Sequence, residues 1–87
     1  MYNLIFHKKT KKQLSNIRSA NLENNLKNIL EMIKKNPYQT PPPYEKLENN
    51  LKNKYSRRIN LKHRLVYEIL EDKKVVKILS MWTHYEV

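Results

Sequence analysis

The side chains best suited to chemistry are concentrated toward the C-terminal end of the sequence. Three of its four arginines, Arg57, Arg58 and Arg64, fall within eight residues, and His84 and Tyr85 lie close to the last residue. Guanidinium groups bind phosphates through paired hydrogen bonds. An imidazole can transfer a proton near neutral pH. Together these groups indicate a protein that acts chemically on RNA as well as binding it.

Cleavage of RNA by its own 2′-hydroxyl requires a base, an acid and positive charge around the phosphate. Glu45 follows a Pro-rich segment that could hold it in place, as catalytic loops often are held. Arg58 and Arg64 are expected on one face of neighbouring strands, where both could reach one phosphate. His84 is the candidate acid, and Tyr85 could stack on a base or contact the phosphate.

Each candidate also has a structural alternative. Glu45 could be an ordinary surface carboxylate. Arg58 and Arg64 could form a solvated strand face or pair with Glu68. The His84–Tyr85 pair could be an incidental tail.

Two nearby residues are predicted to face away from this site. Side chains alternate along a strand, so Arg57 should point to the side opposite Arg58. His63 is expected to be structural or associated with a turn. The spacing of His7, His63 and His84 does not resemble that of metal ligands, so neither a metal site nor a cofactor is predicted.

An apolar stripe predicts the more regular of two helices. Asn21 is the expected N-cap, and Asn36-Pro37 the expected end. A strand over residues 2–6 and a weaker helix over 8–18 are predicted before it. The stripe consists of apolar residues at helical spacing: Leu22, Leu26, Ile29, Leu30 and Ile33.

The helices are followed by a Pro-rich connector over residues 37–44, in which three consecutive prolines predict an extended, stiff path. Residues 45–50 could form a helical turn or an extended segment. Three strands are predicted to follow. One side of the first strand consists of Tyr55, Arg57, Ile59 and Leu61. One side of the last strand consists of Val76, Ile78, Ser80 and Trp82.

These elements predict an α+β fold. Two helices should pack on a twisted, mainly antiparallel sheet of about four strands, with the first strand beside the last. At 87 residues, the chain is expected to form a single domain over residues 1–87.

The composition favours a polyanionic partner. The net charge of +10 predicts salt-sensitive attraction to nucleic acid, although a solvated lysine-rich surface would give the same charge. Glycine is absent, which excludes Gly-rich phosphate loops and leaves turns to Asn, Asp, Pro and Lys. Cysteine is also absent, and no apolar run approaches the ~20 residues of a membrane span. A cytoplasmic protein is expected.

Four ordered motifs resemble those of the YoeB/Txe toxins, which belong to the RelE/ParE superfamily of type II toxin–antitoxin systems. The resemblance covers essentially the whole chain and is most specific over residues 43–85. Its motifs are Pro-Tyr-Glu-Lys-Leu at 43–47, Tyr-Ser-Arg-Arg-Ile at 55–59, His-Arg-Leu-Val-Tyr at 63–67, and His84-Tyr85.

The resemblance implies a RelE-like fold and a ribosome-dependent endoribonuclease that cuts messenger RNA in the ribosomal A site. By position, Glu45 corresponds to the general base and Arg64 to the arginine that stabilises the transition state. His84 corresponds to the general acid, Tyr85 to its essential aromatic neighbour, and Arg58 to a further phosphate contact. The implied partner is a YefM/Axe-type antitoxin with a Phd-like part that binds operon DNA.

The sequence departs from the family pattern at two places near Glu45. Glu48 stands where the family usually has a lysine, and Lys46 could supply that charge as a contact to RNA phosphate. Prolines 41–43 replace a loop that usually contains glycine. A gyrase-poisoning toxin on the same fold and a non-catalytic nucleic-acid-binding protein remain alternatives, and a homodimer remains open.

Overall fold

A computed structural model describes residues 1–47 and 52–84, with His84 described by its backbone. The bounds are β1 (Asn3–Phe6), α1 (Lys9–Ser19), α2 (Glu23–Lys35), β2 (Tyr44–Lys46), β3 (Lys54–Arg58), β4 (His63–Leu70) and β5 (Val75–His84), with a 3-10 turn (Glu71–Lys73) between β4 and β5.

The strands form one sheet in the order β1-β5-β4-β3-β2. β1 runs parallel to β5, and the other neighbours are antiparallel. The predicted α+β fold, with the first strand beside the last, is therefore confirmed. The sheet has one strand more than predicted because Tyr44–Lys46 is extended and pairs with β3. Of the two alternatives for residues 45–50, the start of the segment is therefore extended and not a helical turn.

The core lies between the helices and the apolar side chains of the central strands. Of the predicted stripe, Leu26 and Ile33 of α2 and Leu22 directly before it are buried, whereas Ile29 and Leu30 are partly buried. Alternate residues of β4 and β5 complete this core, as expected for strands with one packed face. These residues are Leu65, Tyr67, Ile69, Val76 and Ile78.

The prediction that Asn21 caps α2 is wrong. Asn21 instead ends α1 in a left-handed conformation, with φ of 62°. Its N–H donates to the carbonyl of Arg18, and that of Leu22 donates to Ile17. This is the Schellman arrangement, in which glycine usually occupies the left-handed position. Asn53 and Lys74 also have positive φ, so the expectation that other residues replace glycine in turns is confirmed.

The first of the three strands predicted after the Pro-rich connector ends earlier than expected. β3 stops at Arg58, and Leu61 is 89% exposed instead of sharing a face with Ile59. A tight turn intervenes, in which the Asn60 side chain accepts hydrogen bonds from the N–H groups of Lys62 and His63. The local side chain–backbone bonds therefore outcompete continued alternation.

The alternation predicted for the last strand is interrupted by two register shifts, although Val76, Ile78 and Trp82 pack against one core as predicted. Val66 lies opposite Ser80 while its neighbour Tyr67 lies opposite Ile78, and a second register shift falls between Arg64 and Val66. Each shift inserts an extra residue into β5, and the second insertion restores the alternation that the first one changes. Ser80, which lies between the inserted residues, is buried and accepts a hydrogen bond from Gln13 of α1.

No helix in the described part of the chain is both long and apolar enough to cross a membrane.

An exposed cluster of polar side chains connects three distant parts of the chain. The carboxylate of Glu71 accepts hydrogen bonds from the hydroxyls of Tyr2 and Tyr38 at 2.8–2.9 Å and from Lys74 Nζ at 2.5 Å. These bonds, that of Lys74 foremost, lower the pKa of Glu71 to about 2. The cluster therefore links the start of β1, the Pro-rich connector and the turn before β5.

Glu71→Gln is expected to destabilise the protein at pH 7 and to flatten the acid side of its stability profile. Because folding lowers this pKa from 4.5 to about 2, the stabilisation is present above pH 4.5 and is lost as the pH falls toward 2. Thermal unfolding from pH 7 to pH 2 measures this. Asp72→Asn removes the same charge from the same turn, and an equal effect of that control would contradict the assignment.

Candidate active site

A buried arginine and a half-exposed carboxylate form the centre of the candidate site. Arg64 in β4 places Nη2 3.0 Å from Glu45 Oε1 in β2. Its Nη1 donates to Ser56 Oγ in β3, also at 3.0 Å. The Arg64 side chain is 5% exposed and that of Glu45 54%, so solvent reaches the carboxylate while the guanidinium is held from behind. Glu45 is thus a paired carboxylate and not an isolated surface group.

The strand register explains why these residues meet. Glu45 lies opposite Ser56, and Arg58 lies opposite Arg64. Directly opposed residues share a face of the sheet, and Ser56 and Arg58 are two residues apart on one strand. The prediction that Arg58 and Arg64 share a face is therefore confirmed. Glu68, the alternative partner, lies 3.8 Å from Lys54 in an ion pair.

The shared face opens into a cleft of about 280 Å³ beside the sheet edge. Arg58 is exposed at this cleft, while Arg64 lies beneath it. The cleft therefore places one exposed and one buried guanidinium group beside a half-exposed carboxylate. Its described lining consists of Pro42, Pro43, Tyr44, Glu45, Arg58 and Arg64.

Arg57 points away from this cleft, as predicted, but it has a role that the sequence did not reveal. The side chain is fully buried, and every described hydrogen bond that it makes goes to a neutral oxygen. The acceptors are Tyr67 Oη (2.9 Å), Pro37 O (3.0 Å), Gln39 O (2.7 Å) and Pro42 O (2.5 Å).

These bonds show that the extended path predicted for the Pro-rich connector is wrong. The connector folds around Arg57, so that three of its carbonyls converge on one guanidinium. Burial raises the pKa of the Tyr67 phenol, which therefore remains a neutral hydroxyl that can accept from Arg57. Alternation had placed Arg57 on the apolar face, and a buried guanidinium requires acceptors. The sequence therefore contained a signal for this role, because an arginine predicted on the buried face needs acceptors from neighbouring segments.

His63 is structural, in agreement with the prediction. It is buried at the start of β4, beside the Asn60 side chain (Nδ1 to Oδ1, 3.2 Å). Its ring stacks on Trp82 with centroids 3.7 Å apart and an interplanar angle of 17°. The stack ties the beginning of β4 to the end of β5.

The other predicted site residues are placed less completely. His84 is the last residue of β5, opposite His63 in register and next to Thr83, which lies opposite Arg64. Lys46 is exposed in β2, but alternation directs it to the face opposite Glu45, away from the cleft. The phosphate contact predicted for Lys46 and the acid role of His84 stay predictions.

Tyr85 and Glu48 lie outside the described residues. Within residues 1–47 and 52–84, no three His, Asp or Glu side chains gather as metal ligands would.

Comparison with known proteins identifies the family. The sequence model of the YoeB-like toxins of bacterial type II toxin–antitoxin systems matches residues 5–85. The chain belongs to this family. None of the curated protein sequences matches this YoeB-like toxin significantly.

Solved structures agree with this assignment. A chain of the YoeB–YefM complex from Staphylococcus aureus is 31% identical to the YoeB-like toxin described here. The match covers 98% of the present chain and 99% of the S. aureus chain, with a TM-score of 0.77. The YoeB dimer from the same organism gives 32% identity, 97% and 98% coverage and a TM-score of 0.71. The isolated Escherichia coli RelE toxin is 23% identical, and the match covers 100% of this chain and 88% of the RelE chain. Its TM-score of 0.76 shows that the two share the RelE-like fold.

Ser56→Ala is expected to lower the free energy of unfolding by about 1–2 kcal/mol, because it removes a buried acceptor from a charged donor. Urea unfolding monitored by the fluorescence of Trp82 measures the loss. Ser15→Ala, an exposed position on α1, is the matched control and should change stability by less than about 0.5 kcal/mol. A neutral Ser56→Ala would show that Ser56 does not help to hold Arg64.

Proposed function

We propose that this YoeB-like toxin is a ribosome-dependent endoribonuclease that cuts messenger RNA in the ribosomal A site through attack by the RNA 2′-hydroxyl, without a metal ion. The observation that carries the proposal is the contact between Glu45 and Arg64 at 3.0 Å in an open cleft, with Arg58 opposite Arg64. A base beside fixed positive charge is the arrangement that such a cleavage requires.

The proposed reaction assigns one task to each group. Glu45 takes the proton of the 2′-hydroxyl, and the resulting oxygen attacks the adjacent phosphorus. Arg64 and Arg58 stabilise the negative charge on the non-bridging oxygens as it increases. His84 protonates the departing 5′-oxygen, with Tyr85 as its aromatic neighbour. The products are a 2′,3′-cyclic phosphate and a free 5′-hydroxyl.

Burial of Arg64 favours this role over simple RNA binding. A guanidinium that is 5% exposed and held by Ser56 keeps its orientation while charge develops on the phosphate. When the phosphate enters the cleft, its oxygens replace Glu45 as acceptors on one edge of Arg64. The half-exposed carboxylate is then free to turn toward the 2′-hydroxyl.

The partners of the proposed enzyme follow from charge and family. A chain with a net charge of +10 is suited to messenger and ribosomal RNA and to an acidic protein. A YoeB relative is solved in complex with YefM, so we propose a YefM/Axe-type antitoxin that neutralises this toxin and connects it to operon DNA. A solved YoeB dimer supports a homodimer as the free form.

Glu45→Ala is expected to slow codon-phased cleavage of a ribosome-bound message by about 10²–10⁴-fold, because it removes the base. Arg64→Ala should slow it by about 10²–10³-fold, because charge stabilisation is lost. Single-turnover cleavage with purified toxin and programmed ribosomes measures both. The controls are Glu31→Ala and Arg18→Ala, exposed positions on α2 and α1 that should retain full activity.

The same experiment contains the results that would contradict the proposal. Equal cleavage of the naked message would rule out dependence on the ribosome. Intact RNA together with inhibition of gyrase supercoiling would support the gyrase alternative. Both variants should still bind antitoxin, and loss of binding together with activity would indicate misfolding instead of a catalytic defect.

A further inference from the structure

The Pro-rich connector that precedes Glu45 has almost no regular structure of its own. The described residues 37–43 belong to no helix or strand. Within this segment, a turn at its start is closed by bonds from Tyr38 and Gln39 to Asn36. Proline has no backbone N–H, so prolines 41–43 cannot donate backbone hydrogen bonds to a neighbouring strand. The path of the connector must therefore be determined by contacts from outside it.

Tyr38 Oη donates a hydrogen bond to Glu71 at the start of the connector, and Arg57 supplies the contacts that follow the connector toward Glu45. Its guanidinium donates to carbonyls at three points of the connector, the last of them Pro42, three residues before Glu45. Its Cζ also lies 4.9 Å from the centroid of the Tyr44 ring, and its backbone pairs with Tyr44 in the sheet. Arg57 thus contacts the chain on both sides of Pro43, immediately before the proposed base.

β2 depends on this support because it is short and lies at an edge. It has three residues and pairs with β3 alone among the described strands. Short edge strands with few backbone bonds open readily. The Glu45 carboxylate is also more than half exposed, so little packing holds it over Arg64.

We propose that Arg57 is a positioning residue for the cleavage reaction: by binding the Pro-rich connector, it fixes the β2 backbone so that the Glu45 carboxylate lies beside Arg64 on the opposite face of the sheet, within reach of the 2′-hydroxyl. This inference rests on the proposed function. Burying a guanidinium among neutral oxygens is unfavourable compared with a well-packed apolar side chain. Packing of the core alone therefore gives no reason for an arginine at this position, whereas fixing three separate carbonyls does.

A lysine cannot replace Arg57 in this role. A guanidinium distributes five donors over a rigid plane, whereas an ammonium concentrates three donors at one point. Arg57→Lys keeps the charge and most of the volume but loses the simultaneous contacts to Pro37, Gln39 and Pro42. The substitution therefore separates positioning from charge.

The test compares Arg57→Lys with Arg18→Lys, the same change at an exposed site on α1. Single-turnover cleavage of a ribosome-bound message is measured over a range of toxin concentrations. Arg57→Lys is expected to lower the saturating rate by about 10–100-fold, because small misplacements of a catalytic group have effects of this size. The half-saturating concentration should change by less than threefold, and Arg18→Lys should change neither value.

A double-mutant cycle with Glu45→Gln distinguishes positioning from a general loss of folded protein. If Arg57 acts through Glu45, Arg57→Lys should slow the Glu45→Gln enzyme by less than threefold. A loss of 10-fold or more in that background would overturn the inference. Should Arg57→Lys fail to fold, Tyr67→Phe removes the acceptor of Arg57 Nε and takes its place in the cycle. It should cause a 2–5-fold loss that disappears with Glu45→Gln, and a loss that persists would overturn the inference.

A structural measurement separates this inference from the proposed function. In a crystal structure of the Arg57→Lys protein, or of Tyr67→Phe if that variant is used, the distance between Glu45 Oε1 and Arg64 Nη2 should increase by more than 1 Å. An unchanged distance of 3.0 Å would overturn the positioning role. If the wild-type toxin cuts no RNA, the proposed function fails, and the catalytic part of this inference fails with it. The distance between Glu45 Oε1 and Arg64 Nη2 still shows whether Arg57 holds Glu45 in place.

Discussion

The register between β3 and β4 determines the face on which each charged group of the site lies. In this register, Arg58 lies opposite Arg64, and Arg57 lies opposite Leu65. A slip of one residue would exchange the two adjacent arginines between the faces of the sheet. The cleft would then lose its exposed guanidinium, and the Pro-rich connector would lose the donor around which it folds. Tyr55 of β3 resists such a slip, because it packs against the core and stacks on Tyr67, and the slip would turn it to the other face.

Two buried arginines on opposite faces are stabilised in different ways. Arg64 has a carboxylate and a hydroxyl as described partners, and Arg57 has a hydroxyl and three carbonyls. Every buried side-chain nitrogen and oxygen in the described residues has a hydrogen-bond partner. The guanidinium of Arg64 lies at the cleft and contacts a half-exposed carboxylate, whereas that of Arg57 binds backbone carbonyls. The two tasks therefore fall to two different arginines, one at the cleft and one in the support of the Pro-rich connector.

Much of this architecture could be predicted from local patterns. The helical spacing of Leu22 through Ile33 and the alternation around Leu65 and Tyr67 correctly predicted the buried faces, because periodicity depends on near neighbours in the sequence. The failures have non-local causes or depend on particular turns. The connector folds around an arginine 15–20 residues away, and Asn21 occupies a left-handed position where a cap was expected. The bulges of β5 depend on its partner β4, which no pattern within β5 records. In the candidate site, alternation along neighbouring strands predicted the shared face of Arg58 and Arg64 but not the contacts of Arg57 with the connector.

The position of β5 in the sheet affects how the protein is made. β5 is the last strand along the described chain, yet it lies between β1 and β4 and pairs with both. Until Val75–His84 has been synthesised, the first strand has no neighbour, and the core lacks Val76, Ile78 and Met81. Long-range pairing of this kind delays folding until the distant segments are all present. A ribosome that translates this chain therefore carries an unfinished sheet until β5 has been synthesised, and the toxin fold can form only after that.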